Sequence, residues 1–211
     1  MPVKCYSIEG NIGSGKSTFL QFLKLNTDNN KFIFVQEPVD EWDTIKDKDG
    51  TILEHFYKNK KEYSFSFQMM AYISRLSLLR KAMKQGYNYI FTERCVNTDR
   101  NVFAKMLYDS EKIEKINYEI YTKWFDEFIE EFNNFHYIYI KTDPNIALER
   151  VNKRARSGES IPLNYLSECN KYHNEWLDKT HKVTILDGNV NRENDYSDWI
   201  KIINDLINDK N

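Results

Sequence analysis

Residues 10–18 of this chain read Gly10-Asn11-Ile12-Gly13-Ser14-Gly15-Lys16-Ser17-Thr18 and satisfy the pattern G-x-x-x-x-G-K-[ST]. These residue types suit the holding of a triphosphate. Gly10 and Gly15 allow backbone angles that turn successive N–H groups toward phosphate oxygens. A helix starting at the loop adds the positive end of its dipole. Lys16 can reach the β- and γ-phosphates, and the Ser17 hydroxyl can coordinate Mg²⁺. The loop alone leaves the reaction open, because motors, switches and small-molecule kinases share it. Further side chains extend the chemistry. Glu37 lies in QEPVDEW, at a strand end where α/β folds bind ligands. Arg150 and Arg154 are four apart, so one helix face presents both, with Lys153 and Arg156 close by. Gln68 and Arg75 are seven apart, two helical turns, and face the same way.

These groups need a scaffold, and the hydrophobic pattern supplies one. Val3 to Ile8, Phe32 to Val35, Tyr89 to Thr92, His136 to Ile140 and Val183 to Leu186 read as short apolar strands. Between them helical spacing starts at Ser17, runs from Glu62 to Gln85 before Gly86, and recurs over 98–107, 118–132, 145–154, 165–177 and 199–207. Strands alternating with helices predict an α/β fold of three layers, a five-stranded parallel sheet covered on both faces. No linker or repeat interrupts residues 1–211, which predicts a single domain.

Composition narrows the function. The 30 Lys and Arg against 32 Asp and Glu leave a net charge of −2, which disfavours a nucleic-acid partner held by a basic surface. No long uncharged apolar run suggests a membrane span, and the N-terminus lacks a signal or transit pattern. Three cysteines without a CxxC pair fit a reducing cytoplasm better than disulfides or zinc.

Five motifs occur in order: IEGNIGSGKST, EPVDEW, SFSFQMMAYISR, ERCVNTDR and an arginine-rich segment before IPLNYL. Together they resemble the deoxynucleoside kinase family, including deoxycytidine, deoxyguanosine and insect-type deoxyribonucleoside kinases, from about Val3 to Leu186. The resemblance implies a P-loop NTPase-type fold and ATP-dependent 5′-phosphorylation of a deoxynucleoside with Mg²⁺. It also implies a homodimer and feedback inhibition by a deoxynucleoside triphosphate. Glu37 matches the family's glutamate beside the 5′-hydroxyl. Glu93 and Arg94 match its ER pair, with Glu93 at the metal alongside Ser17 and as the rival proton acceptor, and Arg94 at the transferring phosphoryl group. Arg150, Arg154 and Arg156 match a lid over the ATP phosphates, about residues 150–160, and Asp187 the segment beside the adenine.

On the nucleoside side, Gln68 matches the residue that pairs with the base. Arg75 and Asp99 match an Arg–Asp pair of members that accept deoxycytidine and deoxypurines. Val39, Trp42, Phe67 and Phe103 match the apolar lining, with Phe103 against the base. Tyr57 and Glu159 match the pair that holds the 3′-hydroxyl, although Arg156–Ile161 is one residue shorter than in relatives. A thymidine-preferring or broad kinase, a thymidylate kinase and a non-catalytic nucleotide-binding subunit are the alternatives. The absence of an NKxD motif argues against a GTPase-like switch.

Overall fold

Apolar strands flanked by amphipathic helices bury most surface when the sheet lies inside and helices cover both faces. That arrangement is found here. The structure, a computed structural model, describes residues 3–27, 30–129, 132, 134–156, 159–192 and 195–208. The first half of the chain forms β1 (Lys4–Glu9), α1 (Lys16–Asn26), β2 (Phe32–Val35), α2 (Val39–Trp42), the hairpin β3 (Lys46–Asp47) and β4 (Gly50–Thr51), α3 (Ile52–Lys58) and α4 (Lys60–Met83). There follow β5 (Tyr89–Glu93), α5 (Val96–Thr98), a wide π-type turn over Asp99–Ala104, α6 (Lys105–Asp109) and α7 (Lys115–Ile129). The chain closes with β6 (Phe135–Lys141), α8 (Pro144–Arg154), α9 (Leu163–Leu177), β7 (Val183–Asp187) and α10 (Ser197–Asn208).

Five strands form one parallel sheet in the order β2-β5-β1-β6-β7. Ile8 of the central strand pairs with Glu93 on one side and Ile138 on the other, and both isoleucines are fully buried. One face of the sheet is covered by α1 and α10 through Phe19, Leu20, Leu23, Trp199 and Ile203. The other is covered by α4, α7 and α9 through Tyr72, Leu76, Tyr121, Phe125 and Leu177. The phosphate loop leaves β1 where the neighbouring strands run on to opposite sides, the switch point at which open α/β sheets bind ligands. Glu93 ends β5 and Glu37 lies just past β2, so adjacent strand ends deliver both acids to the same edge.

The five expected strands are present, and two features depart from the sequence pattern. The helix expected over 98–107 is present within a continuous helical run from Val96 to Asp109, but it widens to π-type geometry over 99–104. A turn of this kind re-aims side chains and recurs at functional sites. Residues 46–58, left unassigned by periodicity, form the hairpin and α3. A capping box starts that helix: Thr51 accepts from Glu54 N and the Glu54 carboxylate accepts from Thr51 N. The T-x-x-E spacing was its visible signal. Among the described residues no helix is long and apolar enough to cross a membrane.

Candidate active site

A cleft of about 560 Å³ runs from the phosphate loop to the wall formed by α3 and α4. At one end Gly15 takes φ +93° immediately before α1, so the helix begins at Lys16 with its N-terminus facing the cleft. Gly13 supports the loop from behind: a Cβ there would stand 2.4 Å from the Ala147 carbonyl of α8. Any larger residue would push the loop off the helix that carries Arg150 and Arg154. Lys16 Nζ donates to the Asn11 carbonyl at 2.7 Å. Burial and the neighbouring Arg94 lower its pKa to about 7, against the pull of Glu93, Glu37 and Glu9. An arriving polyanion would restore its charge. Ser17 Oγ donates to Glu93 Oε1 at 2.5 Å. These two hard oxygens, beside the loop, fit Mg²⁺ shared with phosphates, the way that ion is usually held.

The centre of the cleft is an ion network around two buried arginines. Arg75 Nε donates to Asp99 Oδ2 at 2.9 Å and its Nη2 to Asp99 Oδ1 at 3.3 Å. The same Nη2 donates to Glu37 Oε1 at 3.0 Å, and Nη1 to the Glu93 carbonyl at 3.0 Å. Arg94 Nη1 donates to the same Glu37 oxygen at 2.9 Å and Nη2 to the Gly10 carbonyl at 3.4 Å. Arg94 also lies 5.0 Å from the centre of the Phe103 ring. The two carboxylates are thereby pulled apart. Burial alone would raise Glu37, but Arg94, Arg75 and Lys16 together hold it down at about 2. Burial pushes Asp99 up to about 6; Arg75 opposes this, and Glu37 adds to it.

The far wall is apolar. Trp42 meets Phe67 edge-on with ring centres 5.4 Å apart, and Phe67 stacks on Phe56 at 4.6 Å. The Trp42 indole N–H is engaged by Ser74 Oγ at 2.9 Å, which fixes the ring. Within this wall Gln68 is 2% exposed, and its Oε1 has no hydrogen-bond partner. An unsatisfied buried acceptor costs about 1–3 kcal/mol, which a ligand donor can recover. Lys60 stands 5.1–5.6 Å from the ring centres of Phe56, Tyr57 and Tyr165.

Most residues singled out from sequence line this one cleft: Ile12, Gly13, Gly15, Lys16, Ser17, Thr18, Glu37, Val39, Trp42, Tyr57, Phe67, Gln68, Arg75, Glu93, Arg94, Asp99, Phe103, Arg150, Arg154, Arg156 and Glu159. Gly10, Asn11 and Ser14 form the back of the phosphate loop instead, where Asn11 Nδ2 donates to the Leu166 carbonyl at 2.9 Å. Asp187 lies exposed outside the cleft, accepting from Asn189 N at 2.9 Å. In the lid segment Arg150 donates to the Gly188 carbonyl at 2.8 Å, and Arg154 is bonded to Glu159. Glu159 is close enough to Tyr57 to add to the rise in the phenol pKa that burial causes. Ser157 and Gly158 of the shortened segment lie outside the described residues. Sequence reasoning missed Leu53, Phe56, Ala71 and Tyr165 in the lining, and did not single out Gln36 and Asp40 within QEPVDEW, which also line it. Ala71 falls between Gln68 and Arg75 at i+3 and i+4, so helical spacing could have found it. Leu53 and Phe56 depend on α3, whose capping box was the only sign.

Cations gathered on a phosphate loop at one end of a cleft, with a buried amide oxygen awaiting a partner at the other, define a nucleotide-dependent phosphotransferase. The family model for deoxynucleoside kinases matches residues 6–209. Human deoxycytidine kinase is 33% identical over 198 residues, covering 83% of this chain and 75% of the relative. A probable deoxycytidine kinase of fowlpox virus is 32% identical over 203 residues, covering 92% and 81%. The mitochondrial deoxyguanosine kinase of Xenopus laevis is 32% identical over 200 residues, covering 85% and 75%. The chain belongs to the deoxynucleoside kinase family, and it is a nucleoside-phosphorylating enzyme.

The position of Asp99 sets a pH dependence. As pH falls through about 6, Asp99 takes up a proton and Arg75 loses the charge of its bidentate partner. The nucleoside KM should therefore rise on the acid side with a midpoint near that value, and Asp99→Asn should flatten the limb. Steady-state KM measured from about pH 5 to about pH 8 checks this; an unchanged midpoint in the variant contradicts it.

Proposed function

We propose that the enzyme transfers the γ-phosphoryl group of ATP to the 5′-hydroxyl of a deoxynucleoside, with preference for deoxycytidine and deoxypurines. The observation that carries this reading is the buried Arg75–Asp99 pair on the same side of the cleft as Gln68, whose Oε1 has no partner. An exocyclic amine brings donors that Asp99 and the Gln68 carbonyl can accept. A thymine 5-methyl group would meet a charged, filled wall instead. A site built for hydrogen-bonding groups discriminates strongly, because a mismatch leaves buried polar atoms unpaired.

In the reaction, a bond forms between the 5′-oxygen and the γ-phosphorus while the bond to the β–γ bridging oxygen breaks, and ADP leaves. The hydroxyl proton passes to Glu37. A carboxylate held at about 2 by its arginines is a weak base. Two factors make it sufficient. The transition state is loose, so the proton leaves late and orientation counts as much as basicity. In addition, Arg94 shares its guanidinium between Glu37 and the phosphate loop. Turning it toward the transferring group strips Glu37 of one of its two cations and raises its basicity as charge develops. Glu93 and Ser17 would hold Mg²⁺, which would supply positive charge to the phosphates, and Arg150, Arg154 and Arg156 close over them. Tyr57 and Glu159 hold the 3′-hydroxyl, and Phe103 faces the base. The segment around Asp187, outside the cleft but tied to the lid through the Arg150 bond to the Gly188 carbonyl, would border the adenine.

The family resemblance further supports a homodimer, a cytoplasmic setting that suits three free thiols, and inhibition by a deoxynucleoside triphosphate spanning both subsites. The face shared by α4 and α7 suits the dimer contact, because Ile73 and Trp124 stand 53% and 47% exposed there.

Three outcomes test these assignments. Glu37→Ala should still bind a deoxynucleoside but lose about 10²-fold or more in kcat; near-normal turnover contradicts its role as base. Arg75→Met combined with Asp99→Ala should move the ratio of kcat/KM values toward thymidine by about 10-fold or more; an unchanged ratio for deoxycytidine over thymidine contradicts the selectivity argument. Trp124→Glu should halve the mass found by analytical ultracentrifugation, and a wild-type monomer would remove the dimer.

A further inference from the structure

Behind the phosphate loop stands a carboxylate that the site described above does not use. Glu9 ends β1, directly ahead of Gly10, and is 0% exposed. Its Oε1 accepts from Ser7 Oγ at 2.5 Å and Cys95 Sγ at 3.3 Å, and its Oε2 from Thr98 Oγ1 at 2.6 Å. Ser7 belongs to the same strand, whereas Cys95 and Thr98 belong to the turn made by the end of β5 and α5, residues 93–98. That turn carries Glu93 and Arg94, and Arg94 sits at φ +58°. A non-glycine residue keeps such a backbone only where its surroundings over-determine it.

The surroundings are few and identifiable. At the start of the turn, Arg94 N–H donates to the Ile8 carbonyl at 3.0 Å. At its end, the Thr98 hydroxyl donates to Glu9 and accepts from Cys95 N–H at 3.3 Å. The turn thus hangs from the main chain of Ile8 and from the side chain of Glu9, adjacent residues of the strand that leads into the phosphate loop. Burying a carboxylate without a directly bonded cation is costly. Three donors offset part of that cost, and the nearby Lys16 and Arg94 are both favoured in their charged forms by its field.

We propose that Glu9 is a positioning residue for phosphoryl transfer, its carboxylate pinning the turn that carries Glu93 and Arg94 to the strand that delivers the phosphate loop. The inference rests on the kinase reading of the cleft. Acceptor-side and donor-side groups then keep one relative geometry through turnover. Misplacement by about 1 Å can cost on the order of 10²-fold in rate.

Two changes test it. Glu9→Gln keeps the volume but replaces an acceptor with a donor facing the three donors. Thr98→Val removes the bridging hydroxyl and leaves the charge. Each should lower kcat by about 10-fold or more while moving the deoxynucleoside KM by less than about 3-fold, with a native circular-dichroism spectrum. Thr98→Ser, which retains the hydroxyl, should restore kcat. Exchange of the Arg94 amide, followed by NMR, should accelerate in Thr98→Val. Folded variants with wild-type kcat, a loss confined to KM, Thr98→Ser as impaired as Thr98→Val, or unchanged Arg94 exchange would each overturn the proposal. Should Glu9→Gln fail to fold, the two Thr98 variants decide. An inactive wild type would sink the substrate reading instead, and the exchange measurement would still judge Glu9.

Discussion

One guanidinium ties the active site together. Arg75 reaches from α4 into the cleft with 6% of its side chain exposed, and three segments of chain bond to it. Asp99 comes from the wide turn after α5, Glu37 from the exit of β2, and the Glu93 carbonyl from the end of β5. A buried cation with all its partners in place is tolerable, but removing one partner leaves uncompensated charge and costs about 3–5 kcal/mol. The position of the base-facing acid is thereby tied to that of the acid at the phosphoryl end. The rest of the fold serves this meeting. The parallel sheet brings Glu37 and Glu93 to one edge, and α4 runs along the cleft as a single 24-residue helix.

Sharing a cation has an electrostatic consequence. Glu37 has two guanidiniums within hydrogen-bonding distance and Asp99 has one, so burial wins at Asp99 and the arginines win at Glu37. Two carboxylates in contact with the same cation therefore titrate far apart, the usual sign that neighbouring acids have different tasks. In the proposed mechanism, Asp99 shapes the base subsite and Glu37 waits for Arg94 to turn toward phosphate. The near-zero net charge of the chain conceals this local order: Lys16, Arg75 and Arg94 converge within one cleft on Glu37, Glu93 and Asp99.

Much of this was legible in the sequence, for physical reasons. The strands are short, mostly apolar runs that alternate with helical periodicity, so all five could be read directly. The phosphate loop is a contiguous motif whose glycines have no other inexpensive explanation. Gln68 and Arg75 share a helix face because seven residues make two turns. Other features needed three dimensions. Periodicity counts residues at a constant pitch and so ran straight through the wide turn at Asp99–Ala104. Helix α3 is only seven residues long and too short to show a stripe. Glu9 fell just past the strand expected over Val3 to Ile8 and carried no signal, since nothing local marks Thr98 and Cys95, which are distant in sequence, as its partners. Asp187 was placed by analogy and lies outside the cleft in the present arrangement, with its carboxylate turned to Asn189.

The central claim is that the Arg75-centred network selects an amine-bearing base and presents its sugar to the phosphate loop. Initial rates with γ-labelled ATP and the four natural deoxynucleosides in parallel, compared as kcat/KM, test it most directly. The account predicts labelled 5′-monophosphate from deoxycytidine and the deoxypurines, with thymidine behind the best of them by about 10-fold or more. Thymidine as the best substrate, or no labelled product from any of the four, would contradict it.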